Sequence, residues 1–165
     1  MNVFHYPQND INTDLLFPGK YTYTCSTGPE IKEHLLEDLD SSFSGKVQPG
    51  DIIIAGENFG CGSSREHPSL GLKYVGVKAV IASSFARIFY RSAVNQGLLL
   101  IQSPDAVDYY TEGAPVAVDP AAGEVRVGDR IFSFPSLPDE MLEILRDGGL
   151  LNHIKKIQFA RGDGA

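Results

Sequence analysis

"DIIIAGENFGCGSSREHPSLGLKYVGVKAVIASSFARIFYRSAVNQGLLLI", Asp51 to Ile101, divides itself into alternating pieces. "DIIIAG" is a β-branched run of strand length, the pattern of a strand buried on both faces. A loop rich in Gly and Ser follows. "PSLGLKYVG" then reads as a short helix and "KAVIAS" as a second buried strand. "SSFARIFYRSAVNQG" reads as a helix with Ser84 as N-cap and Gly97 as its stop. Phe85, Ile88, Phe89 and Ala93 form its expected apolar stripe. "LLLIQ" is a third strand. Strand–helix–strand–helix–strand predicts an α/β chain with a parallel layered core.

On the N-terminal side, "NVFHY" is a short alternating stretch, expected as an edge strand. The segment after it, rich in Asn, Asp, Thr, Gly and Pro, exceeds an ordinary connection, and loops of this kind tend to carry function. Pro29 suits the first position of a helix. "PEIKEHLLEDLD" places Ile31, Leu35, Leu36 and Leu39 on one face of it. On the C-terminal side, "APVAVDPAAGEVRVGDRIFSF" predicts two or three short antiparallel strands. "LPDEMLEILRDGGLLNHIKKI" predicts a helix broken at Gly148-Gly149 and a last helical segment. Residues 1–165 are expected to form one domain, with a flexible tail over 160–165.

Composition excludes several function classes. The net charge of −7 argues against nucleic acid as a partner, because phosphate backbones select clustered Lys and Arg. No apolar run approaches the roughly 20 residues of a membrane helix. Cys25 and Cys61 cannot build a disulfide framework, and no secretory h-region precedes the first loop. We expect a cytoplasmic, reduced chain. A four-iron cluster takes at least three thiolates, more than this sequence has. The four histidines, His5, His34, His67 and His153, show no metal-ligand spacing. No metal is expected on this chain.

The loop "GENFGCGSSREHP", residues 56–68, leaves a strand and enters a helix. Its glycines permit backbone N–H groups to converge, and a helix N-terminus adds free donors. Arg65 adds a planar fork suited to a carboxylate or phosphate. Ser63 and Ser64 would sit where such an anion is held. A second reading stays open: Ser63 to Glu66 is also a Ser-x-x-Glu capping box. Pro68 sits better at the first helical position with His67 as cap, leaving residues 63–66 irregular. The loop lacks the Gly-Lys-Ser/Thr ending of a phosphate P-loop and the Gly-x-Ser-x-Gly of a nucleophile elbow. Arg87 and Arg91, four apart on one helix, suit either a cleft or a solvated face. Asp10, Thr13 and Asp14 are expected in Asx-type turns.

Four stretches together resemble the small subunits of the aconitase superfamily, in particular those of the 3-isopropylmalate dehydratases. They are "GENFGCGSSREHP", "DINTDLLFPGKY", "SSFARIFYRSAVNQGLLLI" and "GGLLNHI", spanning about residues 10 to 155. The resemblance implies a swivelling β/β/α domain like the last domain of aconitase. It implies a separate large subunit carrying a 4Fe-4S cluster, no cofactor on this chain, and a small alkylmalate as substrate. The reaction would be a hydro-lyase isomerisation of 2- and 3-isopropylmalate in leucine biosynthesis. By the same resemblance Ser63 matches the serine base, and Ser64 and Arg65 match substrate-binding positions. Residues 56–67 become an active-site loop and 10–28 a substrate-specificity loop, in which Lys20, Tyr23 and Thr24 meet the variable end of the substrate. The family often has Arg at the position of Lys20. Gly60, Gly62, Glu66, His67 and Asp14 are expected to support the loops. A homoaconitase small subunit, a dimethylmalate- or methylmalate-type hydratase subunit and a non-catalytic anion-binding scaffold are the competing readings.

Overall fold

The structure, a computed structural model, describes residues 1–161. Its strands are β1 (Val3–Tyr6), β2 (Ile52–Ala55), β3 (Ala79–Ala82), β4 (Leu99–Gln102), β5 (Val116–Asp119), β6 (Glu124–Val127) and β7 (Arg130–Ser133). Its helices are α1 (Thr13–Leu16), α2 (Gly28–Glu33), α3 (Phe43–Lys46), α4 (His67–Tyr74), α5 (Arg87–Asn95), α6 (Pro104–Tyr109), α7 (Asp139–Arg146) and α8 (Leu150–Arg161). A 3₁₀ turn covers Gly19–Tyr21.

β1 to β4 form a parallel sheet in sequential order, and β5 to β7 a separate antiparallel sheet. Side chains alternate between the two faces of a strand, so the parallel sheet feeds two cores. Ile53, Ala55, Val80, Ala82 and Leu100 point to one face and meet Leu16, Leu35, Leu36, Leu72, Phe89 and Ala93. Ile52, Ile54, Ala79, Ile81, Leu99 and Ile101 point to the other and meet α6 and the antiparallel sheet through Val107, Val125, Val127 and Phe132. Every residue of β2 and β3 is buried, which explains their unbroken apolar runs. Sequential order explains the layering. Crossovers of one hand between successive parallel strands return on one face, which is where α4 and α5 pack through Leu72, Phe89 and Ala93, and the other face is left for the C-terminal sheet. The expected β/β/α arrangement is therefore borne out, with β1 at the edge.

Several local expectations are corrected. The helix after Pro29 ends at Glu33, so Leu35, Leu36 and Leu39 do not share a helical face with Ile31. Leu36 has φ 59° and donates its N–H to Leu16 O at 2.9 Å, which takes the amide a longer helix would need. Pro29 is the second helical residue rather than the first. Ser84 is not an N-cap. α5 begins after Ala86, and Ser84 Oγ accepts the Asn58 N–H at 2.8 Å instead. Ile88 is 54% exposed and leaves the expected stripe, whereas Phe89 and Ala93 are buried. α8 runs through Ala160 and Arg161, and residues 162–165 of the expected tail lie outside the described residues.

These placements separate two isoleucines. Ile53→Ala should cost about 2–5 kcal/mol in urea unfolding, because it opens a cavity in the first core. Ile88→Ala should stay within about 0.5 kcal/mol of the parent. Equal losses would contradict the described burial.

Candidate active site

All four parallel strands end at one edge, the side where ligands of parallel sheets bind. Three loops meet there and bond to one another. Asp10 N–H donates to Glu57 O (2.9 Å), Gly60 N–H to Ile11 O (2.8 Å) and Thr13 N–H to Cys61 O (2.7 Å). On the other flank Phe59 N–H donates to Ser84 O and Ala86 N–H to Phe59 O, each at 3.0 Å. The loop after β2 is thus held on both sides like a short central strand.

Its glycines are there for space. Gly60 has φ 78°, and a Cβ on it would lie 2.2 Å from Cγ of Phe89. Gly62 has φ 104°, and a Cβ on it would lie 3.0 Å from Thr13 Oγ1. The absence of that carbon lets α1 approach Ser63. Asn12 caps α1, its Oδ1 accepting from Asp14 N (2.9 Å) and Leu15 N (3.0 Å). The cap fixes Thr13, which is only 2% exposed.

Ser63 N–H donates to Thr13 Oγ1 at 3.1 Å, and the two hydroxyl oxygens are also 3.1 Å apart. Arg65 Nε donates to Ser63 Oγ at 2.7 Å. Its Nη1 donates to Phe17 O (3.0 Å) and Thr22 Oγ1 (3.1 Å), and its Nη2 to Asp14 Oδ1 (2.7 Å). Asp14 Oδ1 also accepts the Gly19 N–H at 3.0 Å. One N–H on Nη2 has no partner among the described residues. The Ser64 hydroxyl and the backbone N–H groups of Ser64 and Arg65 have no partner among the described residues. Ser63 and Ser64 are exposed and Arg65 is half-buried. An exposed hydroxyl with a charged donor and a second hydroxyl on its inner side, and open donors beside it, is an arrangement that can accept a proton next to a carboxylate.

The other expected residues are placed as follows. α4 starts at His67 with Glu66 at the cap position, so the capping-box reading of Ser63 fails, and Pro68 is the second helical residue. Glu66 accepts from Gln96 Nε2 at 3.4 Å. His67 Nε2 lies 3.1 Å from Cys25 O, and its ring stacks on Phe17 at 5.2 Å. Lys20 Nζ sits 2.9 Å from Glu37 Oε1 and over the Tyr21 ring. Lys20, with His34 beyond it, holds the Glu37 carboxyl below the usual range against a smaller effect of burial. Thr24 Oγ1 donates to Tyr21 O at 3.3 Å. Tyr23 is 98% exposed. Lys20, Tyr23 and Thr24 therefore stand outside the hydrogen-bonded group around Ser63. Arg87 and Arg91 are exposed on α5. Sequence reasoning missed the contacts of Thr13 with Ser63 and of Thr22 with Arg65. The signal for the first was present in Asn12-Thr13-Asp14, where an N-cap Asn presents the next side chain at a helix start.

The thiols do not suit a four-iron cluster. Cys25 is buried beside Thr24, and Cys61 is alone in its loop. Among the described residues no three His, Cys, Asp or Glu side chains converge. No described helix is long and apolar enough to cross a membrane.

Comparison with known proteins agrees with the motifs read above. Residues 11–106 match the family described as Aconitase C-terminal domain. The chain is 45% identical over 150 residues to the 3-isopropylmalate dehydratase small subunit of Moorella thermoacetica, covering 90% of each chain. It is 48% identical over 151 residues to 3-isopropylmalate dehydratase small subunit 2 of Archaeoglobus fulgidus, again covering 90% of each. A crystal structure of 3-isopropylmalate dehydratase from Methanocaldococcus jannaschii superposes with a TM-score of 0.82 at 37% identity, over 99% of this chain and 96% of that one.

Burial, followed by the charge of Asp10, pushes the Cys61 thiol above its ordinary range. Iodoacetamide should therefore alkylate Cys61 more slowly than free glutathione at pH 8, with the rate still climbing at higher pH. Alkylation as fast as glutathione would show that the thiol is neither buried nor near a negative charge.

Proposed function

The chain belongs to the aconitase C-terminal domain family, with the small subunits of 3-isopropylmalate dehydratases, and from that premise we propose that it interconverts 2- and 3-isopropylmalate together with a large subunit. The observation that carries this reading is Ser63 Oγ, exposed at the strand edge with the Arg65 Nε–H on its inner side. Ser63, ionised, takes the proton from the carbon next to a substrate carboxylate. The C–H electron pair then forms the alkene as the hydroxyl leaves the neighbouring carbon, and the reverse addition returns it on the other carbon. The open N–H groups of Ser64 and Arg65, the Ser64 hydroxyl and the free N–H of Arg65 Nη2 hold the carboxylate. The residues of this chain do not fit a metal cluster, so the Lewis acid that assists hydroxyl departure is assigned to a cluster on the large subunit. An exposed Ser63 also suits a site that the partner completes, in a cytoplasmic assembly.

The loop after Phe17 favours an alkyl group over a further carboxylate at the variable end of the substrate. The cation of the loop, Lys20, is already paired with Glu37, and Arg65 is committed to Phe17 O, Thr22 Oγ1 and Asp14. A carboxylate buried there without a partner would cost several kcal/mol, more than a buried amide or hydroxyl does. A fitting apolar group gains about 1–3 kcal/mol. Tyr23 and Thr24 are proposed to meet that group when the large subunit closes on the loop.

The purified chain alone should not turn over isopropylmalate, and mixing with a cluster-loaded large subunit should restore turnover. In the assembled enzyme Ser63→Ala should lower kcat by on the order of 10²–10⁴-fold without loss of folding or association. Arg65→Lys should lower kcat and raise KM together, because one ammonium cannot reach Ser63, Thr22 and Asp14 at once. Full activity of Ser63→Ala would remove the serine from the mechanism. Across isopropylmalate, dimethylmalate, citramalate and homoaconitate, kcat/KM should be highest for isopropylmalate. A preference for homoaconitate would overturn the loop argument, and a preference for a smaller alkylmalate would move the chain to a related hydratase.

A further inference from the structure

We propose that Thr13 is a positioning residue for the reaction, its buried hydroxyl donating to Ser63 Oγ as a second, neutral donor beside Arg65. The inference rests on the reading of Ser63 as the base. It follows from counting hydrogens. Thr13 Oγ1 accepts the Ser63 N–H at 3.1 Å, so one of its lone pairs is used. Its own hydrogen has one acceptor within reach among the described residues, Ser63 Oγ at 3.1 Å. If Ser63 donated instead, the Thr13 hydrogen would be a buried donor without an acceptor, which proteins avoid.

Ser63 Oγ then receives hydrogen bonds from Thr13 and from Arg65 Nε, the latter at 2.7 Å. Both of its acceptor directions are filled, and its own hydrogen points toward the open side where substrate would lie. Loss of that proton leaves an alkoxide already facing two fixed donors, with no reorganisation needed at the moment of reaction. Gly62 makes the approach possible, since a Cβ there would press on Thr13 Oγ1 at 3.0 Å. The charged and titratable groups about this pair, among the described residues, are Arg65 on the same loop, Asp14 on α1 bonded to Arg65, Cys61 two residues earlier, and Asp10, whose charge reaches Cys61.

The test needs neither cluster nor substrate. In the full chain carrying Ser63→Cys, the pKa of the new thiol is read from the pH dependence of iodoacetamide alkylation. Peptide mass spectrometry separates it from Cys25 and Cys61. Adding Thr13→Val should raise that pKa and slow alkylation at neutral pH severalfold, and adding Thr13→Ser should leave both near the parent. Thr13→Ala serves as the second hydroxyl-free variant if Thr13→Val does not fold by circular dichroism. In the assembled enzyme with Ser63 intact, Thr13→Val should lower kcat on the order of 10²-fold, the loss typical of one oxyanion donor. KM should change less, and the rising limb of the pH profile should move to higher pH. A thiol pKa indifferent to Thr13 overturns the inference. So does an activity loss with an unmoved pH limb and no rescue by Thr13→Ser, which would make Thr13 a brace. A thiol pKa that responds to Thr13 in a chain whose assembled form ignores isopropylmalate supports the Thr13 inference and sinks the proposed substrate instead.

Discussion

Three backbone hydrogen bonds, Asp10 N–H to Glu57 O, Gly60 N–H to Ile11 O and Thr13 N–H to Cys61 O, tie the segment after β1 to the loop after β2. The site depends on this seam. The loops start from neighbouring parallel strands, with Tyr6 in register with Ala55, so they leave the sheet side by side. Without the seam, Ser63 and Thr13, fifty residues apart in the chain, would have no reason to meet. Buried backbone groups must find partners, and here each loop supplies the partners of the other.

Arg65 extends the seam outward. Its guanidinium bonds Ser63, the Phe17 carbonyl, the Thr22 hydroxyl and the Asp14 carboxylate. One planar group thus ties the position of residues 17–22 directly to Ser63 Oγ. A fork with fixed donors can do this, whereas a single flexible ammonium cannot. The Asp14–Arg65 pair lies partly in solvent, so its contribution is alignment more than stability. The chain uses an ordinary ion pair to set a geometry.

The layered core supplies the rigid floor. Because β2 and β3 are buried on both sides, the strand ends from which the loops depart are fixed by packing rather than by the loops themselves. The segment from Phe17 to Ile31 is different. It packs on a small separate cluster of Phe17, Cys25 and Ile31, with His67 stacked on Phe17 as its link to α4. A segment on its own minor core can vary without disturbing the floor.

Much of this was legible in the residues. The apolar runs of β2, β3 and β4 and the turns between them determine the parallel core by themselves, since burial on both faces demands continuous hydrophobicity. The motif around Ser63 and the three stretches that accompany it identified the family that the comparisons bear out. Local signals failed where a tertiary bond competed with a local one. Ser84 looked like a cap and was claimed by Asn58; Leu36 looked helical and was claimed by Leu16. The partners of Arg65 have no local signature, and the Asn12 cap marks Thr13 as the start of a helix without saying that Ser63 lies opposite it. Sequence alone determined the strands and crossover helices of the parallel core, because periodicity and turn chemistry act between near neighbours. Only the tertiary structure decided which hydroxyl faces Ser63 and where Lys20 is held, because those contacts join residues brought together by strand register and by the space two glycines leave open.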